Sequence, residues 1–118
     1  MNNNLTPPRS SLPQHRFDVY RVVSAMYDAV VRAEIRDTDG RTQAIKACKA
    51  ALRNIGEGIG RVGPADKARV YGIARGEVIE AVIAVETASI GRETSREAYA
   101  EVEVLAERAY AMLTKLAR

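Results

Sequence analysis

From residue 17 to the end of the chain, the apolar residues follow helical patterns, recurring at intervals of three or four. β-Branched residues occur only inside these 3.6-residue patterns, so no segment reads as a strand. Three short breaks interrupt the repeats: Asp37-Thr38-Asp39-Gly40, the glycines from Gly58 to Gly63, and the stretch from Gly91 to Glu93. Four helices with short connections imply an all-α, up-down-up-down four-helix bundle. The 118 residues suffice for one domain with one core. Residues 1–16 hold three of the four prolines with Asn, Ser and Thr. They read as a flexible N-terminal arm, and residues 17–118 as the bundle domain.

The first helix is expected over about residues 17–36, with a narrow polar stripe of Asp18, Arg21, Asp28, Arg32 and Arg36. So little polar surface implies burial on two sides. The second is expected over about residues 41–57, with Ile45, Cys48, Leu52 and Ile55 on its core face and Thr38 or Asp39 as its cap. The third runs from Pro64, a favoured first helical position, to Ile90 and stops at Gly91. From residue 78 to 90 only Glu80, Glu86, Thr87 and Ser89 are polar, so this helix should be the most enclosed. Gly72 and Gly76 leave a strip where another helix can approach. The fourth opens on Thr94-Ser95-Arg96-Glu97, which matches a capping box of Thr94 and Glu97. Its core face carries Tyr99, Val102, Leu105, Ala109, Met112 and Leu116.

Composition narrows the chemistry. The formal net charge is +3, which permits a polyanionic partner without requiring one. The single cysteine, Cys48, lies at an apolar helical position and reads as a buried thiol. With one histidine, His15, in the arm, one chain lacks the ligands for a soft-metal site. No cofactor is expected. No run of 18 apolar residues exists to span a membrane, and the first residues lack the apolar core of a signal peptide. A cytoplasmic location is the expectation.

Gly58-Ile59-Gly60-Arg61-Val62-Gly63 matches the dinucleotide-binding pattern G-x-G-x-x-G. That pattern functions only after a buried strand and before a βαβ helix. The preceding residues, AIKACKAALRNI, have helical spacing, so Gly58, Gly60 and Gly63 read instead as a helix stop and turn using positive φ. Gly56 reads as a point of close helix approach.

Two polar groups stand out. Arg75 lies in line with Tyr71, Val78 and Val82, an apolar side, and a buried Arg needs a carboxylate. Glu57, bridged by Asn54, is the candidate partner. Asn54, Glu57 and Arg75 are thus expected as a structural polar clamp, in preference to a catalytic or ligand site, since no nucleophile or base stands near in sequence. Lys46, Lys49 and Arg53 repeat at three and four residues and, with Arg41 and Arg61, form a basic stripe. It has three readings: contact with RNA phosphates, contact with Glu97, Glu101 and Glu107 of a neighbouring subunit, or a solvated face. Tyr20, Tyr27 and Tyr71 read as core.

Gln43 precedes Asn54 by eleven residues, and Asn54-Ile55-Gly56-Glu57-Gly58-Ile59-Gly60-Arg61 follows; Ile73-Ala74-Arg75-Gly76-Glu77 with Glu80 forms a second segment. In these two segments, in this order, the chain resembles the bacterial four-helix-bundle family related to proteins encoded in intervening sequences of large-subunit ribosomal RNA genes. A distant branch comprises accessory proteins of diversity-generating retroelements. The resemblance implies a bundle assembled as a ring, commonly a homopentamer, and in the distant branch binding of a reverse transcriptase and RNA through basic surfaces. The expectation is a non-enzymatic oligomeric scaffold contacting RNA or a nucleic-acid-binding protein. The alternatives are a purely structural homo-oligomer, or an enzyme with an inter-subunit carboxylate site using Glu57, Glu80 or Glu86.

Overall fold

The computed structural model describes residues 12–118, apart from the side chains of residues 15 and 16. One 3₁₀ turn, Pro13–Arg16, precedes four helices: α1 (Asp18–Arg32), α2 (Thr38–Gly60), α3 (Pro64–Ile90) and α4 (Arg96–Leu116). There is no strand among the described residues. Part of the expected arm is therefore structured, and the rest, residues 1–11, lies outside the described residues. The order of packing is closed: α1 on α2, α2 on α3, α3 on α4, and α4 back on α1. Connections of five, three and five residues between successive helices suit antiparallel neighbours. The 27 residues of α3 span about 40 Å at 1.5 Å per residue, which accounts for most of the 44 Å long axis.

The core is built from valine and alanine around a few larger side chains. Met26, Ile35, Ile55 and Leu113 are the largest that are fully buried. Ala44, Ala47, Ala51 and Gly58 make a seam of small buried residues along α2, and Ala74, Ala81 and Ala88 make another along α3. Small residues on facing helices let the backbones come close, which brings the rest of both helix faces into contact. Phe17 and Tyr71, with ring centroids 6.0 Å apart, close the end of the core near the α2–α3 connection. Tyr71 is buried, and Tyr20 and Tyr27 pack partly buried against the core, as the sequence suggests.

Helix ends differ from the sequence reading in four places. The first helix stops at Arg32 rather than 36, because Glu34 turns to the left-handed region with φ 47°. Ile35 then drops fully buried into the core from outside any helix, and its spacing from Val31 mimics one more turn. Arg36 belongs to the connection, where its N–H donates to the Glu93 carbonyl at 2.9 Å. The cap of α2 is neither Thr38 nor Asp39 but Asp37, whose Oδ2 accepts from the Gly40 N–H at 2.8 Å. This starts the helix three residues early.

At its far end α2 continues through Gly56, Gly58 and Gly60, and no glycine among the described residues has positive φ. The expected glycine turn is thus helix, and the chain reverses over residues 61–63. The close approach assigned to Gly56 occurs at Gly58. A Cβ at 58 would stand 2.3 Å from Tyr71 Cε1, whereas at 56 it would meet nothing within 4 Å. The cap of α4 shifts by one residue as well. Ser95 Oγ accepts from the Ala98 N–H at 3.0 Å, and Thr94 instead donates to the Ala33 carbonyl at 2.6 Å. That bond ties the last connection to the end of α1.

The boundaries of α3 agree with the reading, from Pro64 to Ile90. Its stop is a Schellman pairing: Glu93 N–H donates to Ala88 O and Arg92 N–H to Ser89 O. The left-handed residue of this cap is Arg92, φ 61°, rather than Gly91.

Candidate interaction surface on helices 2 and 3

The sequence-derived clamp does not form. Asn54 Nδ2 donates back to the Ala50 carbonyl of its own helix at 3.0 Å. Glu57 is 48% exposed and pairs at 3.2 Å with Arg61, four residues on and just past the end of α2. Arg75 turns toward α4, where Nη1 reaches Thr114 Oγ1 at 3.3 Å and the guanidinium lies 5.3 Å from the centre of the Tyr110 ring. Arg75 sits at the edge of the apolar face of α3, and its long stem carries the charge to the surface beside α4. No charged residue is fully buried among the described residues, so none requires a buried counter-charge. Glu57→Ala is accordingly expected to leave the melting temperature unchanged, because an exposed pair contributes little. A fall of the size seen on orphaning a buried charge would overturn this placement.

The basic stripe is divided by the fold. Lys46, Lys49 and Arg53 lie exposed along one flank of α2. Arg41 points away, with Nη1 donating to the Ile35 carbonyl at 2.9 Å. Arg61 sits past the end of the helix, held by Glu57 at 3.2 Å and Asp66 at 3.1 Å. Lys46, Lys49 and Arg53 have no ion pair within 4.0 Å among the described residues. They form one bank of a groove of about 400 Å³ whose opposite bank is Glu77 and Glu80 of α3. Burial and the neighbouring Glu80 raise the Glu77 pKa, against the pull of Arg53.

Gln43 lies where this groove meets a second one of about 370 Å³, which contains Asp37, Asp39, Glu80 and Glu93. The surface over α2 and α3 therefore passes from acidic, at the start of α2, to basic in its middle. Glu86, like Glu80, is exposed on α3. Among the described residues no three His, Cys, Asp or Glu side chains are grouped to hold a metal ion. Cys48 is buried, and burial alone pushes its thiol up to about 12, which keeps it protonated and inert.

The acidic fourth helix is partly engaged inside the chain. Glu101 accepts from Arg32 at 2.5 Å, and Arg32 also holds Asp28 at 2.7 Å. This network pulls the Glu101 pKa down, the hydrogen bond from Arg32 being the largest cause. Glu103 accepts from the Tyr99 hydroxyl at 2.9 Å. Glu97 and Glu107 are exposed without an ion pair among the described residues.

Sequence reasoning missed the most open apolar surface. Helix α3, expected to be the most enclosed, leaves Ile73 43%, Ile79 37%, Ile83 53% and Ile90 74% exposed. Gly72, Gly76, Ile79, Ile83 and Ile90 fall within about 60° of one another around the helix axis, at 3.6 residues per turn. They lie opposite the buried seam of Ala74, Ala81 and Ala88. The signal was present in the sequence: a helix apolar all round has more apolar surface than three neighbours of its own chain can cover. Helix α1 is better covered, with Val31 its one large apolar residue above a third exposed.

The fold and this surface together define the chain as an all-α, four-helix protein with a charged groove beside an open apolar helix face. No family model matches the chain, and no curated protein does. No helix among the described residues is long and apolar enough to cross a membrane.

Proposed function

We propose that the chain is a non-enzymatic, self-associating scaffold that contacts RNA through α2. The observation that carries the proposal is the row of exposed isoleucines on α3. A row of large apolar side chains on one helix face is a surface that another protein surface covers. A second copy supplies the simplest cover, and repetition of such a contact closes a ring when the rotation permits. Five copies is the number the family resemblance implies. The buried free thiol of Cys48 suits the reducing cytoplasm, where this reading puts the protein. Molar mass in dilute solution is the test of self-association, and a value of 12.9 kDa, that of one chain, rejects it.

For RNA the supporting observation is narrower. Lys46, Lys49 and Arg53 present three cations along one exposed flank, without carboxylates at pairing distance among the described residues. Changing all three to Gln is expected to weaken binding of a structured RNA and to reduce the salt slope by about 2, each phosphate contact contributing roughly 0.7–0.9. Equal affinity and slope in the variant would reject contact through α2. Glu77 and Glu80 on the facing bank repel phosphate and favour the second reading, a purely structural homo-oligomer. Absence of RNA binding at low salt, with a mass above one chain, would select it.

A further inference from the structure

We propose that the cleft between α1 and α4 binds a phosphate monoester that carries an apolar group, held by Arg21 and Arg108. This cleft, of about 320 Å³, is formed by other helices than the groove between α2 and α3. Arg21 lines this cleft, and its Nη1, closed off from solvent, has no hydrogen-bond partner. Six other arginines (32, 36, 41, 61, 69 and 75) all donate to an acceptor within the chain. A guanidinium N–H that meets neither an acceptor nor water is costly, so Arg21 gains when its side chain shifts to bring that N–H onto an oxyanion in the cleft.

Arg108 lines the same cleft from α4 and has no ion pair among the described residues. Asp18 is the one carboxylate in the lining, and it stands beyond 4.0 Å from both guanidinium groups. Residues 1–17 contain no Asp or Glu, so the preceding segment brings no carboxylate.

Two guanidinium groups, one from each helix, match the two charges of a phosphate monoester better than the single charge of a carboxylate. Their forked donors suit its oxygens. Ala25, Leu105 and Met112 supply an apolar wall for the group esterified to it. The phosphate has two sources, a free small molecule or the 5′ end of an RNA strand, and the chemistry of recognition is the same.

The experiment titrates the full chain with phenyl phosphate, inorganic phosphate and benzoate, followed by amide chemical shifts at Ala25 and Leu105 and by melting temperature. Saturable binding is expected, tightest for phenyl phosphate and weakest for benzoate. Arg21→Gln and Arg108→Gln should each weaken it about tenfold, the loss of a charge-assisted hydrogen bond. Asp18→Asn should tighten it. The Arg21→Gln protein should melt no lower than the parent, since it loses a buried N–H that has no acceptor, and Arg108→Gln at an exposed site gives a second variant should the first fail to fold. Competition between phenyl phosphate and 5′-phosphorylated or 5′-hydroxyl RNA separates the two sources. The variant with Lys46, Lys49 and Arg53 changed to Gln should bind phenyl phosphate as the parent does, which keeps this result apart from RNA binding on α2. Absence of saturable binding, benzoate binding as tightly as phenyl phosphate, or binding unchanged in both arginine variants would overturn the proposal.

Discussion

Gly58→Ala is expected to destabilise the fold by about 2 kcal/mol, while Gly56→Ala in the same helix stabilises it by about 0.5–1 kcal/mol. All three glycines of the G-x-G-x-G run from 56 to 60 are helical, so alanine carries no φ penalty at any of them. What separates them is space. At 58 the new methyl would stand 2.3 Å from Tyr71 Cε1 and 2.7 Å from Cζ. The ring is 5% exposed and packed on Phe17, so it has no open volume to swing into. Overpacking therefore exceeds the gain in helix propensity. At 56 and 60 nothing lies within 4 Å, and the propensity gain stands alone, smaller at 60 because the helix ends there. Chemical unfolding at one fixed protein concentration measures all three. Tyr71→Leu should recover part of the loss in Gly58→Ala, a coupling that identifies the ring as the cause. A Gly58→Ala protein as stable as Gly56→Ala would mean that α2 and α3 do not approach here.

Those glycines also show how far the sequence could be read. Absence of a strand before Gly58 was enough to set aside nucleotide binding, because that function depends on a strand the pattern lacks. That Gly58 is the glycine on which Tyr71 packs, thirteen positions on and on another helix, is a tertiary contact, and no local pattern carries that information. The ends of α3 were legible because Pro64 marks its first turn and Gly91 follows its last. The end of α1 was not, because buried Ile35 continues the apolar spacing after the helix has stopped.

Arg75 shows the same limit at the level of a site. Its position in line with Tyr71 and Val78 placed it near the apolar face, but periodicity assigns an edge residue to neither neighbour, and α4 holds it rather than α2. Lys46, Lys49 and Arg53 were legible as one flank because their spacing is purely local. Arg41 and Arg61 left that group through contacts with Ile35, Glu57 and Asp66, which only the folded connections bring near.

On the proposed self-association through α3, Ile79→Lys with Ile83→Lys is expected to give single chains of 12.9 kDa without unfolding them. In one chain both side chains are partly open, at 37% and 53% exposed, so their loss removes little of the core. Lysine is a good helix former, and at 83 it has Glu80 and Glu86 three residues away on either side to pair with. The isolated helix bundle should therefore keep its helicity and melt close to the parent measured at a concentration where the parent is dissociated. At an interface the outcome is different. Two ammonium groups per chain would enter a contact meant for isoleucine, and an unpaired buried charge costs about 3 kcal/mol or more, which weakens association at least about a hundredfold. Light scattering over a range of concentration reads the effect directly. A double variant with the parent's mass would remove α3 from the interface, whereas a parent that already runs as a single chain would remove self-association itself. The two failures are distinct, because the first leaves an assembly to be explained by another face and the second leaves the isoleucines to a different partner.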